Sequence, residues 1–233
     1  MMREIVLDTE TTGLDPAQGH RIIEIGCVEL VNHLPTGRTW QRYLNPERDV
    51  PPEVVAVHGL SAAFLADKPV FSEVFAEFLD FIEHDSRLVI HNASFDMKFL
   101  NAELKAVGHP GLSAKRVVDT LTLAREKFPG APSSLDALCK RFSVDNTGRS
   151  FHGALLDSLL LAEVYLALMG GRQTGLALGD ALGEAPGGSL FGARAPARDR
   201  PFRAPRPHAA SADEIAAHTA LLERLTDPVW NKI

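Results

Sequence analysis

The first 44 residues hold three strand-like runs before any helical stripe occurs, and this order restricts the fold more than any other feature of the chain. Glu4 to Leu7 is a short apolar run, Arg21 to Val31 reads as a long strand, and Arg38 to Leu44 alternates as a third. Three consecutive strands predict an antiparallel meander. After them strand and helix patterns alternate. Apolar residues at 71, 74, 75, 78, 79 and 82 mark one face of a helix over Phe71 to Ile82. A strand over Arg87 to Ile90 follows, then a helix from about Phe95 to Val107 that Gly108 closes. Val117-Val118 makes another strand, Ser133 or Ser134 opens a helix through Leu135, Leu138 and Phe142, and Ala154 to Met169 is the longest helix. The expected class is α/β, a mixed sheet flanked by helices.

This patterning stops near residue 170. From Gly192 to His208 the run GARAPARDRPFRAPRPH carries five Arg, four Pro and one Asp with almost nothing large and apolar, too little buried surface to offset the entropy of ordering. The reading is a folded domain over 1–169, a disordered basic linker over 170–210 and a short C-terminal helix within 211–233. Ser211 is placed as its N-cap, Asp213 and Glu214 fall in its first turn, and Ile215, Leu222 and Leu225 repeat near helical spacing until Asp227-Pro228. With 24 Lys and Arg against 30 Asp and Glu, the net charge of −6 argues against holding nucleic acid mainly by bulk positive charge. The two cysteines, Cys27 and Cys139, build neither a disulfide framework nor a cysteine zinc site, which fits a reducing cytoplasm. No apolar signal segment follows Met1, and Asp157 and Glu163 interrupt the greasiest stretch, so neither secretion nor membrane spanning is expected.

Carboxylates carry the chemistry. Asp8 and Glu10 lie two apart at the end of the first strand, so both point to one face, where two hard-oxygen charges either raise a pKa or recruit a cation such as Mg²⁺ or Mn²⁺. Thr9, Thr11, Thr12 and Gly13 around them are small enough for backbone N–H groups to approach a phosphate or sugar. In His91-Asn92-Ala93-Ser94-Phe95-Asp96 a strand ends, Asn92 can cap the next helix, and Asp96 stands in its first turns. In Phe151-His152-Gly153-Ala154-Leu155-Leu156-Asp157, five helical residues would turn His152 about 140° away from Asp157. His152 therefore has to come from the loop before the helix if both face one site. Taken singly, each feature has an ordinary explanation: a solvated strand end, a first-turn charge, a cap.

Their conjunction and order resemble the DEDDh family of 3′-to-5′ exonucleases, through DTETTGL at 8–14, VHGL at 57–60, HNASFD at 91–96 and HGALLD at 152–157. The resemblance covers residues 3–169. It implies a ribonuclease H-like fold that gathers Asp8, Glu10, Asp96 and Asp157 at the active end of the sheet around two divalent ions, Mg²⁺ or Mn²⁺. It also implies that Asp8, Glu10 and Asp157 contact the first ion, that Asp8 bridges to the second, and that Asp96 holds the second ion's waters. His152, with a reference pKa of about 6.5, would take the proton of the attacking water. Glu53 and His58 match positions that contact the terminal nucleotide, joined in the substrate set by Thr9, Asp8, Glu10 and Asp157, with Leu14 placed to stack beside the base.

Beyond the long helix, Gln173, Leu176 and Leu178 in QTGLAL resemble the clamp-binding peptide of bacterial replication proteins. A nuclease domain, this peptide, a basic leash and a terminal helix together resemble the proofreading subunits of bacterial replicative DNA polymerases. That resemblance implies removal of mispaired deoxynucleotides from a primer 3′ end, within the replication complex at the cytoplasmic nucleoid. Residues 173–178 would bind the sliding clamp, and Ala212 to Trp230 would tether the nuclease to the polymerase alpha subunit, with Trp230 as a buried anchor. Two other readings remain open from the residues. One is a free-standing RNA-trimming or DNA-repair exonuclease of the same fold; the other is a non-catalytic adaptor between clamp and polymerase, which the retained carboxylates and His152 oppose.

Overall fold

The computed structural model describes residues 2–83, 85–147, 151–171 and 209–224. Two compact units divide the chain, Met1–Leu178 and Gly179–Ile233. In the first, β1 (Arg3–Thr11), β2 (Ile22–Val31) and β3 (Leu34–Tyr43) form the expected antiparallel meander. Asn32 and His33, which join β2 to β3, both have positive φ, the backbone geometry that a tight two-residue hairpin needs. The shorter β4 (Arg87–Ile90) runs parallel to β1 on its other side, and β5 (Val117–Asp119) runs parallel to β4. The sheet order is β3-β2-β1-β4-β5.

Side-chain alternation along β1 and β2 divides the core in two. Ile5, Leu7, Ile25 and Cys27 face α3 (Phe71–Ile82) and α4 (Ala93–Ala106), meeting Phe78, Phe99 and Leu104. Val6, Val28 and Leu30 face α7 (Ala154–Leu168), meeting Leu161 and Tyr165. Against the far side of α7, α5 (Thr120–Lys127) and α6 (Leu135–Phe142) place Ala124, Leu138 and Cys139. Each fully buried leucine or valine in these layers contributes roughly 1.5–3 kcal/mol relative to exposure. The apolar residues of α7 surround it instead of forming one stripe, with Leu156 and Leu159 on its exposed side.

Three helices were not legible from patterning: α1 (Pro52–His58), α2 (Ala62–Leu65) and α5. Valines 54, 55 and 57 give α1 a strand-like composition, yet Pro52 at its start and left-handed Gly59 at its end make it a helix. In α5, Thr120 and Thr122 weaken the helical signal, and the Asp119 side chain supplies the cap by accepting from Leu121 N. The helix α4 starts at Ala93, two residues before the expected point. Asn92 sits at its N-cap in a left-handed conformation, but its side chain makes no capping bond. In the second unit, α8 (Ala212–Leu222) carries a reciprocal cap: Ser211 Oγ accepts from Glu214 N while the Glu214 carboxylate accepts from Ser211 N. Nearly all of α8 is exposed, Ile215 and Leu221 included. Most of the expected linker, the peptide with Gln173, Leu176 and Leu178, and the residues Leu225 and Trp230 lie outside the described residues. Among the described residues no helix is long and apolar enough to cross a membrane.

At Gly26 α7 and β2 approach closely: an added Cβ would come within 2.2 Å of Leu155 N and 2.3 Å of the Ala154 carbonyl carbon. Backbone cannot yield as a flexible side chain does. Gly26→Ala is expected to destabilise the protein by about 3 kcal/mol or more, read from denaturant midpoints. A loss below about 1 kcal/mol would mean that α7 does not rest on the strand at this point.

Candidate active site

At its carboxyl end β1 alternates half-buried Asp8 and Glu10 with buried Thr9 and Thr11, so the two carboxylates open onto the α7 side while Thr9 faces α4. From α4, the buried carboxylate of Asp96 takes hold of Thr9: its Oδ1 accepts from Thr9 Oγ1 at 2.7 Å and from Thr9 N at 3.1 Å. Asp96 thus does more than complement the helix dipole. Burial pushes its carboxyl up to about 7, with the Thr9 hydrogen bonds pulling the other way and Asp119 adding to the rise.

The third carboxylate arrives from α7. Gly153 is the extended residue before the helix, which leaves His152 in the preceding loop, as its spacing from Asp157 requires. His152 Nδ1 lies 3.3 Å from Asp157 Oδ2, and His152 N donates to Val57 O at 3.1 Å, tying the loop to the end of α1. Glu10, His152 and Asp157 each present a ligand atom within 4.8 Å of the others. With Asp8, Thr9 and Asp96 they line an open cleft of about 630 Å³, whose wall continues through His91, Phe95, Arg125 and Ser134. A cluster of hard oxygens with one imidazole suits a divalent cation such as Mg²⁺ or Mn²⁺.

The expected nucleotide-contact residues Glu53, His58 and Leu14 are outside that lining. Glu53 is exposed on α1. Leu14 is 83% exposed, so it is no core leucine. His58 is buried; its Nδ1 accepts from Leu60 N at 2.9 Å, which puts the ring proton on Nε2, and that atom is buried with no hydrogen-bond partner among the described residues. Burial, reinforced by His152, lowers its pKa.

Glu24 was not read as a site residue. It is fully buried on β2 opposite Glu10, accepting from Gln41 Nε2 at 2.7 Å and from Ala154 N at 3.2 Å. Burial raises its pKa against these hydrogen bonds, and nearby Asp157 adds to the rise. A lone acid inside the apolar run Ile22-Ile23-Glu24-Ile25 was the available signal. Nearby, His91 Nδ1 lies 2.9 Å from Thr120 Oγ1, and its pKa is lowered chiefly by burial.

Residues 5–165 match the exonuclease family RNase_T. DNA polymerase III subunit epsilon of Rickettsia conorii is 57% identical over 182 residues, covering 77% of this chain and 79% of that protein. The Escherichia coli subunit is 49% identical over 179 residues, covering 74% and 73%. This chain belongs to the DNA polymerase III epsilon family of 3′-to-5′ proofreading exonucleases. Among solved structures, exonuclease X in complex with 5′ overhanging duplex DNA is similar at a TM-score of 0.57 and 28% identity, covering 73% of this chain and 92% of that one. The nuclease domain of 3′hExo, a DEDDh family member bound to rAMP, shares the fold at a TM-score of 0.62 and 22% identity, covering 72% and 92%. The antiparallel meander continued by parallel strands is therefore the ribonuclease H-like sheet. DEDDh exonucleases depend on divalent metal ions, and the carboxylates of this epsilon-family cleft are of the type that binds them.

Without metal, the burial of Asp96 makes stability pH-dependent. Its folded pKa of about 7 exceeds the ordinary 3.8, so the unfolded chain releases the proton first and stability falls as pH rises from about 4 through 7. Asp96→Asn keeps Oδ1 as an acceptor for Thr9 and should flatten this fall in chelator, raising the denaturant midpoint at pH 8 relative to the parent. Parallel pH profiles for the two proteins would rule the account out.

Proposed function

We propose that Asp8, Glu10, Asp96 and Asp157 hold two divalent ions, Mg²⁺ or Mn²⁺, against the terminal phosphodiester of a DNA strand and that His152 is the general base. The observation that carries this reading is the convergence of Glu10, His152 and Asp157 within 4.8 Å, in the cleft that Asp8 and Asp96 also line. Bound there, the ions would supply Lewis-acid activation of water and neutralise charge on the phosphate and the leaving 3′-oxygen. Asp8, Glu10 and Asp157 would hold the first ion, and Asp8 with Asp96 would serve the second. His152 is 46% exposed, so its imidazole reaches solvent water while Val57 O and Asp157 hold it in place. Taking the water's proton, it promotes attack on phosphorus; the bond to the 3′-oxygen breaks, releasing a nucleoside 5′-monophosphate and a strand one residue shorter.

The terminal nucleotide is assigned to Thr9, Glu53, His58 and Leu14. The buried His58 Nε2–H is a donor suited to an acceptor on the sugar or phosphate, and the exposed Leu14 offers apolar surface to a base. Such a site accepts any base, so mispaired ends are favoured because they are already unstacked. For the tail we propose that α8 belongs to the tether to the polymerase alpha subunit and that Gln173, Leu176 and Leu178 bind the sliding clamp, placing the nuclease in the cytoplasm at the nucleoid-associated replication complex. The exposed Ile215 and Leu221 on α8 support a helix that docks on another protein.

Asp8→Ala should lower the rate of mononucleotide release from single-stranded oligonucleotides by ~10³-fold or more, and excess chelator should abolish it. His152→Ala should lose ~10²–10⁴-fold and flatten the rise of rate with pH near 6–7. Near-normal activity of either variant would sink its assignment. A chain ending at Met169 should digest single strands at the full rate yet no longer co-elute with the polymerase, and retained tight co-elution would place the tether elsewhere.

A further inference from the structure

The helix that delivers Asp157 has no cap of its own, because Gly153 at its N-terminus offers no side chain. Its first turn is instead held from the sheet. Glu24 Oε2 accepts from Ala154 N at 3.2 Å, two residues after His152 and three before Asp157. The other oxygen, Oε1, accepts from Gln41 Nε2 at 2.7 Å, and Gln41 Nε2 also donates to Tyr43 Oη at 3.2 Å. In the β1–β2 ladder Glu24 pairs with Glu10 and Gly26 pairs with Asp8, so all four lie on the face that α7 covers. One turn further along, Ser158 Oγ donates to Gly26 O at 3.0 Å.

We propose that Glu24 is a positioning residue for hydrolysis: by binding the Ala154 N–H it sets the height and rotation of the first turn of α7, and through it the approach of Asp157 and His152 to Asp8 and Glu10. This inference rests on the metal and general-base assignments above. Two observations separate it from a purely structural role. Glu24 is buried opposite Glu10 and near Asp157, an arrangement in which an apolar residue would serve folding at least as well. Leucines stand on the exposed face of α7, at Leu156 and Leu159, as well as on its buried one, so apolar patterning alone does not fix its rotation, whereas an error of about 1 Å in a catalytic group can lower a rate ~10²-fold.

The test uses the full chain with Mn²⁺ as the only metal. It follows kcat and KM on a single-stranded oligonucleotide, Mn²⁺ binding by calorimetry, and thermal melting in chelator. Glu24→Ala should remain folded, lose ~10²-fold in kcat with KM within about twofold of the parent, and bind Mn²⁺ ~10-fold more weakly. Glu24→Gln keeps an oxygen for the Ala154 N–H and should recover kcat to within about fivefold of the parent. A Glu24→Ala protein with parental kcat and Mn²⁺ affinity, or a Glu24→Gln protein as slow as Glu24→Ala, would overturn the proposal. If Glu24→Ala does not fold, Gln41→Leu decides: it leaves Glu24 in place without the donor that fixes Oε1, and unchanged kcat and Mn²⁺ affinity in that folded variant would likewise overturn it. An active Asp8→Ala protein would defeat the metal assignment itself; an inactive one beside a fully active Glu24→Ala would defeat only the positioning role.

Discussion

The seating of α7 on the sheet is the constraint on which the site depends, and polar contacts determine it. Leu160, Leu161, Val164 and Leu168 are buried on one side of the helix while Leu156 and Leu159 stand exposed on the other, so the hydrophobic effect is strong but apolar patterning alone leaves the placement of the helix poorly specified. Three hydrogen bonds from β1 and β2 supply what is missing. Glu24 takes the Ala154 N–H, the Gly26 carbonyl takes the Ser158 hydroxyl, and buried Glu4 takes the Tyr165 hydroxyl at 2.7 Å near the other end. Directional bonds to fixed strand positions allow one placement where apolar contact allows several, and Gly26 permits the close approach that brings them within reach.

The strand β1 distributes the chemistry by its two-residue period. Thr9 turns toward α4 and is gripped by Asp96, while Asp8 and Glu10 turn toward α7 and meet Asp157 and His152. The termini of both helices and the end of β1 thus lie together at the carboxyl edge of the parallel strands. Burying carboxylates there works against folding in the absence of cations, and the pKa values of Asp96 and Glu24, raised chiefly by burial with Asp119 and Asp157 adding to the rise, record that cost. Burial elsewhere in the two core layers offsets it, so the site can be held ready for ions that relieve the repulsion.

Much of this architecture was legible in residues whose local signal agrees with their tertiary setting. The stripe over Phe71–Ile82 and the strand Arg87–Ile90 appear at the positions their patterning predicts, since each buries a single apolar face or a short apolar run. The helices α1 and α5 were hidden because valines and threonines lower helical propensity, and the cap from Asp119 and the glycine stop at Gly59 outweigh that preference. Asn92 looked like a side-chain cap but takes a left-handed backbone conformation that aims its side chain elsewhere, and Asp119 Oδ1 accepts from its N–H.

The sequence by itself determined the carboxylates and histidine, their strand-end and helix-start settings, and the loop position of His152, because these follow from local periodicity and helical geometry. It also determined the change of character near residue 170, which is a matter of composition. Only the tertiary structure decided that Asp96 grips Thr9, that His58 is buried, and that Glu24 reaches from β2 to the first turn of α7. Those contacts join residues far apart in the chain, 87 positions for Thr9 and Asp96 and 130 for Glu24 and Ala154, beyond the reach of any local pattern. They depend on which face each strand turns to which helix, and that is settled only when the sheet register and the packing of both helices are formed together.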